Sequence, residues 1–89
     1  MKAIVTVVGH DRVGIIAGIC VKLAEYNINV VDISQTILAD EFTMVMAVDI
    51  EKMTVKFAEI SRILTDLGRE MQLSIHIQRE EIFEAMHTI

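Results

Sequence analysis

The residues with the most chemical potential in this chain stand together, in Gly9-His10-Asp11-Arg12-Val13-Gly14. A His-Asp pair can begin a metal site, but such a site needs three or four ligands. The other histidines are His76, in a strand-like run, and His87, at the tail. Metal hydrolysis is therefore not expected, and no metal or other cofactor is assigned. No Ser or Cys sits beside a histidine that could activate it, so no catalytic residue is assigned either. The carboxylate pairs Asp40-Glu41 and Glu80-Glu81 read as solvated charges. What remains is binding chemistry. Gly9 has the freedom to take positive φ and turn the chain out of a strand. Asp11 is expected to cap the following helix, its carboxylate accepting from the N–H of Val13 or Gly14. The first turn of a helix carries unpaired N–H donors and partial positive charge, which suits a small anion such as a carboxylate. Gly14 has no side chain to keep a ligand or a second backbone away.

The flanking segments define what positions this stretch. Before it, Ala3 to Val8 is β-branched and apolar at both parities, as in a central strand covered on both faces. After it, Gly14 to Tyr26 places Ile15, Ile16, Ile19, Cys20, Leu23 and Tyr26 on one helical arc. Cys20 lies within that arc and reads as a small hydrophobe. Asn27 tolerates left-handed geometry and ends the helix. Asn29 to Leu38 is a strand with Val31, Ile33 and Ile37 on one parity and Asp32, Ser34 and Thr36 on the other, the alternation of an edge strand. A short connection, Ala39-Asp40-Glu41, leads to a central strand from Phe42 to Ile50. A second helix is expected to begin near a Thr54 cap and stop at Gly68, with Met53, Phe57, Ile60, Ile63, Leu64 and Leu67 on one face. Met71 to Gln78 alternates as the other edge strand. Arg79 to His87 reads as a short helix carrying Ile82, Phe83 and Met86.

The order is β-α-β-β-α-β. Two two-faced and two one-faced strands fit a four-stranded antiparallel sheet ordered 4-1-3-2, with both helices on one face. That is an α+β, ferredoxin-like sandwich spanning residues 1–78, followed by a helical extension over 79–89. Such a sheet leaves one face open, so either a second subunit or the terminal helix should cover it. The totals agree with a partner: 89 residues bury only about 60–65% of their unfolded surface. Against that small core, 53% apolar residues leaves apolar surface for an interface. A net charge of −5 and four aromatics argue against nucleic acid. Apolar runs fall short of the ~18–20 residues that cross a bilayer, and Met1-Lys2-Ala3 leads straight into strand pattern, so a cytoplasmic location is expected.

Asn29 opens the second strand, and in a β-α-β unit that start lies at the opposite end of the sheet from the loop after the first strand. Asn29 therefore cannot reach the Gly9–Gly14 stretch of its own chain. It can reach that of a neighbour in a two-fold dimer, making a polar site from donors on one chain and an amide on the other.

Taken together, Val7-Val8-Gly9-His10-Asp11-Arg12-Val13-Gly14-Ile15-Ile16, the helix end Glu25-Tyr26-Asn27-Ile28-Asn29-Val30 and the element order resemble the ACT domain. The resemblance covers roughly residues 2–78. It extends to single-ACT proteins of bacteria and archaea and to the ACT segments of the glycine-cleavage repressor and formyltetrahydrofolate deformylase. It implies a non-catalytic regulatory module that binds an amino acid or similar metabolite at a homodimer interface. Gly9, Asp11 and Gly14 match the loop contacts of serine-binding members, and Asn29 matches the amide from the partner. The ligand-binding set expected here is Gly9, His10, Asp11, Arg12, Val13 and Gly14 with Asn29 and Val30. Val13 replaces a common Pro, and Asp11 replaces a loop amide, so Asp11 accepts from an ammonium group and repels an adjacent carboxylate. The resemblance thus leaves the effector open. A structural adaptor that docks on another protein is the alternative. Acylphosphatase-type chemistry on the same sandwich needs a phosphate cradle, and Arg12 has none around it.

Overall fold

A computed structural model describes residues 1–10 and 13–81. The elements are β1 (Lys2–His10), α1 (Ile15–Glu25), β2 (Asn29–Leu38), β3 (Glu41–Asp49), α2 (Phe57–Met71) and β4 (Leu73–Arg79). The strands form one antiparallel sheet in the order β2-β3-β1-β4, which is the expected 4-1-3-2 read from the other edge. The expected helix over Arg79 to His87 falls largely on residues outside the described set.

Pleating assigns the faces. Ala3, Val5 and Val7 of β1, Phe42, Met44, Met46 and Val48 of β3, and Ile75 and Ile77 of β4 point to the helix side. They meet Ile15, Ile19 and Leu23 of α1 and Ile60 and Leu64 of α2 in a single buried cluster. The opposite face carries Ile4, Thr6 and Val8 between Val45 and Ala47 on one side and Ser74, His76 and Gln78 on the other. On β3, Met44 and Met46 are therefore in the core, and Val45 and Ala47 are outside it.

β2 departs from simple alternation. Its register against β3 shifts between Val30 and Asp32, a bulge that leaves Val31 as the extra residue. The shift lets Val30 pair with Val48 on the helix side while Ile33 does the same opposite Met46. Without it, Val30 would share the open face with Asp32. The expected apolar row of Val31, Ile33 and Ile37 is thus Val30, Ile33 and Ile37.

Both helix starts differ from expectation. The N-cap of α1 is Gly14, and that of α2 is Lys56; neither makes a side-chain cap hydrogen bond. Thr54 is therefore not the cap of α2, and Asp11, expected to cap α1, lies outside the described residues. Thr54 instead donates its backbone N–H to the Tyr26 carbonyl, 3.0 Å away, tying the segment after β3 to the end of α1. That end is a Schellman motif: Ile28 N–H donates to Leu23 O at 3.1 Å and Asn27 N–H to Ala24 O at 3.0 Å. Asn27 takes φ 60 there, as its residue type predicts. Gly68 does not end α2, which continues to Met71 and closes on Gln72 at φ 58. Gly68 serves packing instead. A Cβ on it would stand 2.7 Å from the Leu73 carbonyl oxygen and 3.3 Å from Ile75 Cγ1, so its absence sets how close α2 lies to β4.

Candidate functional site

The expected binding residues fall at two ends of the sheet. At one end β1 closes with His10 paired to Glu41, and β2 finishes at Leu38 beside it. Gly9 lies inside β1 rather than in a turn, with no positive φ. A Cβ there would displace the end of the Leu73 side chain of β4, while the nearest backbone atom stays at contact distance. Asp11 and Arg12 lie outside the described residues. Val13 is fully exposed, and Gly14 takes φ 92, a left-handed conformation that favours glycine. Nothing lies within 4 Å of where a Gly14 Cβ would stand.

Next to Gly14 is an open cleft of about 210 Å³ between the first turn of α1 and the far half of β2. Gly14, Ile15, Ile16 and Ala17 form one wall; Gln35, Ile37 and Phe42 form the other. The first helical bond runs from Gly18 N–H to Gly14 O at 2.9 Å, and among the described residues no side chain caps the turn. The donors of that turn therefore edge a cleft with an apolar floor and one amide, that of Gln35. Such a surface offers a carboxylate N–H groups and partial positive charge and offers a small side chain apolar contact. Gln35 was not among the expected site residues. Its signal in the sequence is that it interrupts the helix-side row of Ile33 and Ile37 with a polar group.

Asn29 stands at the other end, paired with Asp49, which in turn pairs with Lys2 of β1. Eight strand rises separate Lys2 from His10, about 26 Å. One protomer therefore does not bring Asn29 to the Gly14 cleft. Asn29 lines a larger open cavity of about 410 Å³ together with Asn27, Asp49, Glu51 and Lys52. Asn27 Nδ2 donates to the Lys52 carbonyl at 3.0 Å. Asp49 Oδ1 accepts from the Glu51 N–H at 3.0 Å and lies 3.7 Å from the Met1 ammonium. The Glu51 hydrogen bond holds its carboxyl below the usual range; the Met1 ammonium and Lys2 act in the same direction, while partial desolvation opposes them. Val30 is half-buried against the core.

One juxtaposition escapes adjacency along the chain. Ser74 Oγ lies 3.0 Å from His76 Nε2 on the exposed face of β4, because residues two apart on a strand share a face. The expectation that no serine sits beside a histidine is corrected by that period. An activated serine also needs a group that orients the imidazole, and among the described residues none is hydrogen-bonded to this ring. Among the described residues no set of three or more His, Cys, Asp or Glu is arranged to hold a metal ion. Cys20 is half-buried and free. No helix among the described residues is long and apolar enough to cross a membrane.

The strand order and the placement of both helices on one face define a ferredoxin-like α+β sandwich with an open sheet. The chain belongs to the ACT domain family, whose sequence pattern matches residues 2–78. A UPF0237 protein of Listeria innocua is 56% identical over 89 residues, covering 100% of both chains. An ACT domain protein from Streptococcus pneumoniae superposes with a TM-score of 0.82 at 42% identity over 94% of each chain. A putative glycine cleavage system transcriptional repressor, at 24% identity, shares the fold with a TM-score of 0.69, over 86% of this chain and 44% of that one. ACT domains are generally regulatory, small-ligand-binding modules.

Proposed function

We propose that this protein is a non-catalytic sensor that binds an amino acid or a similar small metabolite across a homodimer interface and acts in the cytoplasm. The observation that carries the reading is the course of β2. It runs along the free edge of the sheet from the Asn29 end to the end where the α1 cleft opens. Its apolar side chains are left uncovered, with Val31 49%, Ile33 39% and Ile37 53% exposed. Val21 is exposed on α1 as well.

Pairing two such edges antiparallel about a two-fold axis covers those side chains and satisfies the edge hydrogen bonds. The same pairing sets the Asn29 end of each β2 beside the Gly14 end of the other. Gly9, His10, Asp11, Arg12, Val13 and Gly14 from one chain then frame a site completed by Asn29 and Val30 of its partner. The first turn of α1 takes the ligand carboxylate, Asp11 takes its ammonium group, and the Asn29 amide reads either. A ligand held this way favours the dimer by RT ln(1 + [L]/Kd), about 2.7 kcal/mol at a hundredfold excess over Kd. A signal passed to an enzyme or regulator docked on the dimer would follow from that linkage.

The test is thermal denaturation against each of the twenty amino acids, with sedimentation to follow the dimer. At least one is expected to raise Tm. Asn29→Ala should remove the response while leaving the ligand-free Tm nearly unchanged. Gly14→Val should remove it too, at some cost from its positive φ. A folded dimer that responds to none of them would leave the adaptor reading in its place.

A further inference from the structure

The outward side of β2 is not uniform along its length. Leu38 pairs with Glu41 across the two-residue turn Ala39-Asp40, and such a turn closes on a hydrogen-bonded pair. Alternation from there leaves the N–H and C=O groups of Ile37, Gln35 and Ile33 facing away from β3. The Ile33 N–H agrees with that parity: it donates to Asp32 Oδ1 at 2.9 Å and not to the ladder. Asp32 thus holds one outward donor of the edge with its own carboxylate. Any strand that pairs there has to displace it.

We infer that Asp32 is the positioning residue that selects the register in which two copies of β2 pair. The inference rests on the reading of this edge as the dimer interface. Outward amides must meet outward amides, so the two-fold axis passes through a residue position of β2 and not between two. Pairing takes the Ile33 N–H for the ladder and frees the carboxylate, which favours the register that offers it another donor. With the axis at Ser34, Asp32 lies opposite the partner's Thr36. Both belong to the sheet face turned away from the helices, so the hydroxyl replaces the lost N–H. The hydrogen-bonded pairs are then Ile33 with Gln35, once on each side of the axis, and both are clear of the bulge at Val31. The same axis sets exposed Val31 opposite exposed Ile37. An axis at Ile33 moves a hydrogen-bonded pair onto the bulge. An axis at Gln35 carries Asp32 past the partner's Thr36, the last hydroxyl of the strand. It also moves Asn29 two residues further beyond the partner's Leu38, away from the cleft it is to complete.

Cysteine crosslinking in a Cys20→Ala background reads the axis. With the axis at Ser34, the two copies of residue 34 form a non-hydrogen-bonded pair with Cα atoms about 4.5 Å apart, within the span of a disulfide. Residues 33 and 35 then stand about 7 Å from their own copies along the strand alone. Ser34→Cys is expected to form the covalent dimer about tenfold faster, or more, than Ile33→Cys or Gln35→Cys. Adding Asp32→Ala should cut that preference several-fold, whereas Asp32→Asn, which keeps an acceptor oxygen, should retain it. A folded dimer that crosslinks fastest through Ile33→Cys or Gln35→Cys overturns the inference and leaves the edge dimer standing. A preference unchanged by Asp32→Ala overturns it too. A monomer in sedimentation, or a dimer that crosslinks at none of the three positions, removes the edge dimer and this inference together.

Discussion

The two edge strands, β2 and β4, have similar one-faced sequence patterns and opposite surroundings. β4 lies under α2, with Ile75 and Ile77 buried, because Gly68 lets the helix come within contact of the Leu73 carbonyl and Ile75. β2 has a looser cover. α1 buries Ile15, Ile19 and Leu23 in the common core but lies less closely on β2 than α2 does on β4, and leaves Ile33 and Ile37 partly in solvent. β2 is also the longer, 10 residues against 7, so it presents more free backbone for pairing. An apolar, unprotected edge of that length is a surface for a partner. The difference teaches that helix approach, more than strand composition, decides which edge of a sandwich stays open.

Truncation on the two edges should separate them most clearly. Ile75→Ala opens a cavity in the core and should cost about 2–5 kcal/mol, or about 8 °C or more in Tm at roughly 4–8 °C per kcal/mol. Ile37→Ala on the exposed edge should stay within about 0.5 kcal/mol of the parent in urea unfolding of the isolated protomer. Equal losses at both positions would break the comparison. Next in size is Gly68→Val, which forces α2 off β4 and should cost about 1–3 kcal/mol by overpacking. If it is neutral, the close approach is not what buries β4.

The hairpin joining β2 to β3 should respond in the other direction. Ala39 at φ 51 and Asp40 at φ 68 form a type I′ turn with residues poorly suited to it. Ala39→Asn with Asp40→Gly should stabilise by about 1 kcal/mol, measured as a higher urea midpoint at unchanged slope. The edge is sharpened further by Ile33→Lys, which should leave the protomer folded and shift sedimentation towards monomer; a persistent dimer would move the interface elsewhere.

The smallest effect belongs to Asp49. Its carboxyl titrates below its ordinary value, so its contribution to stability is present above the unfolded pKa and is lost as pH falls through the folded one. Asp49→Asn should therefore lower stability slightly at neutral pH, flatten the acid limb of the stability curve, and leave the most acidic end unchanged.

Much of the fold was legible in the sequence because side-chain period is local. Alternation in Leu73 to Arg79, the double parity of β1 and β3, and the arcs of α1 and α2 together require the 4-1-3-2 order and name the core. The separation of Asn29 from the Gly14 end followed from the same order. The cleft itself was less legible. Gln35 enters it only because β2 carries Ile33, Gln35 and Ile37 along the helix side after a bulge, and a bulge is a matter of pairing between strands.

The stretch from Gly9 to Gly14 shows where the division falls. By composition it marks a strand-to-helix corner with room for a ligand, and Gly14 fills that part with its positive φ and the open space beside it. That Gly9 lies within β1 beside Leu73, and that Gly68 permits the approach of β4, could be decided only in three dimensions. Propensity and period act between residues a few positions apart, so the chain alone dictates elements and faces. Which hydrogen a distant backbone requires, and which edge a helix covers less closely, depends on contacts between segments that only the folded chain brings together.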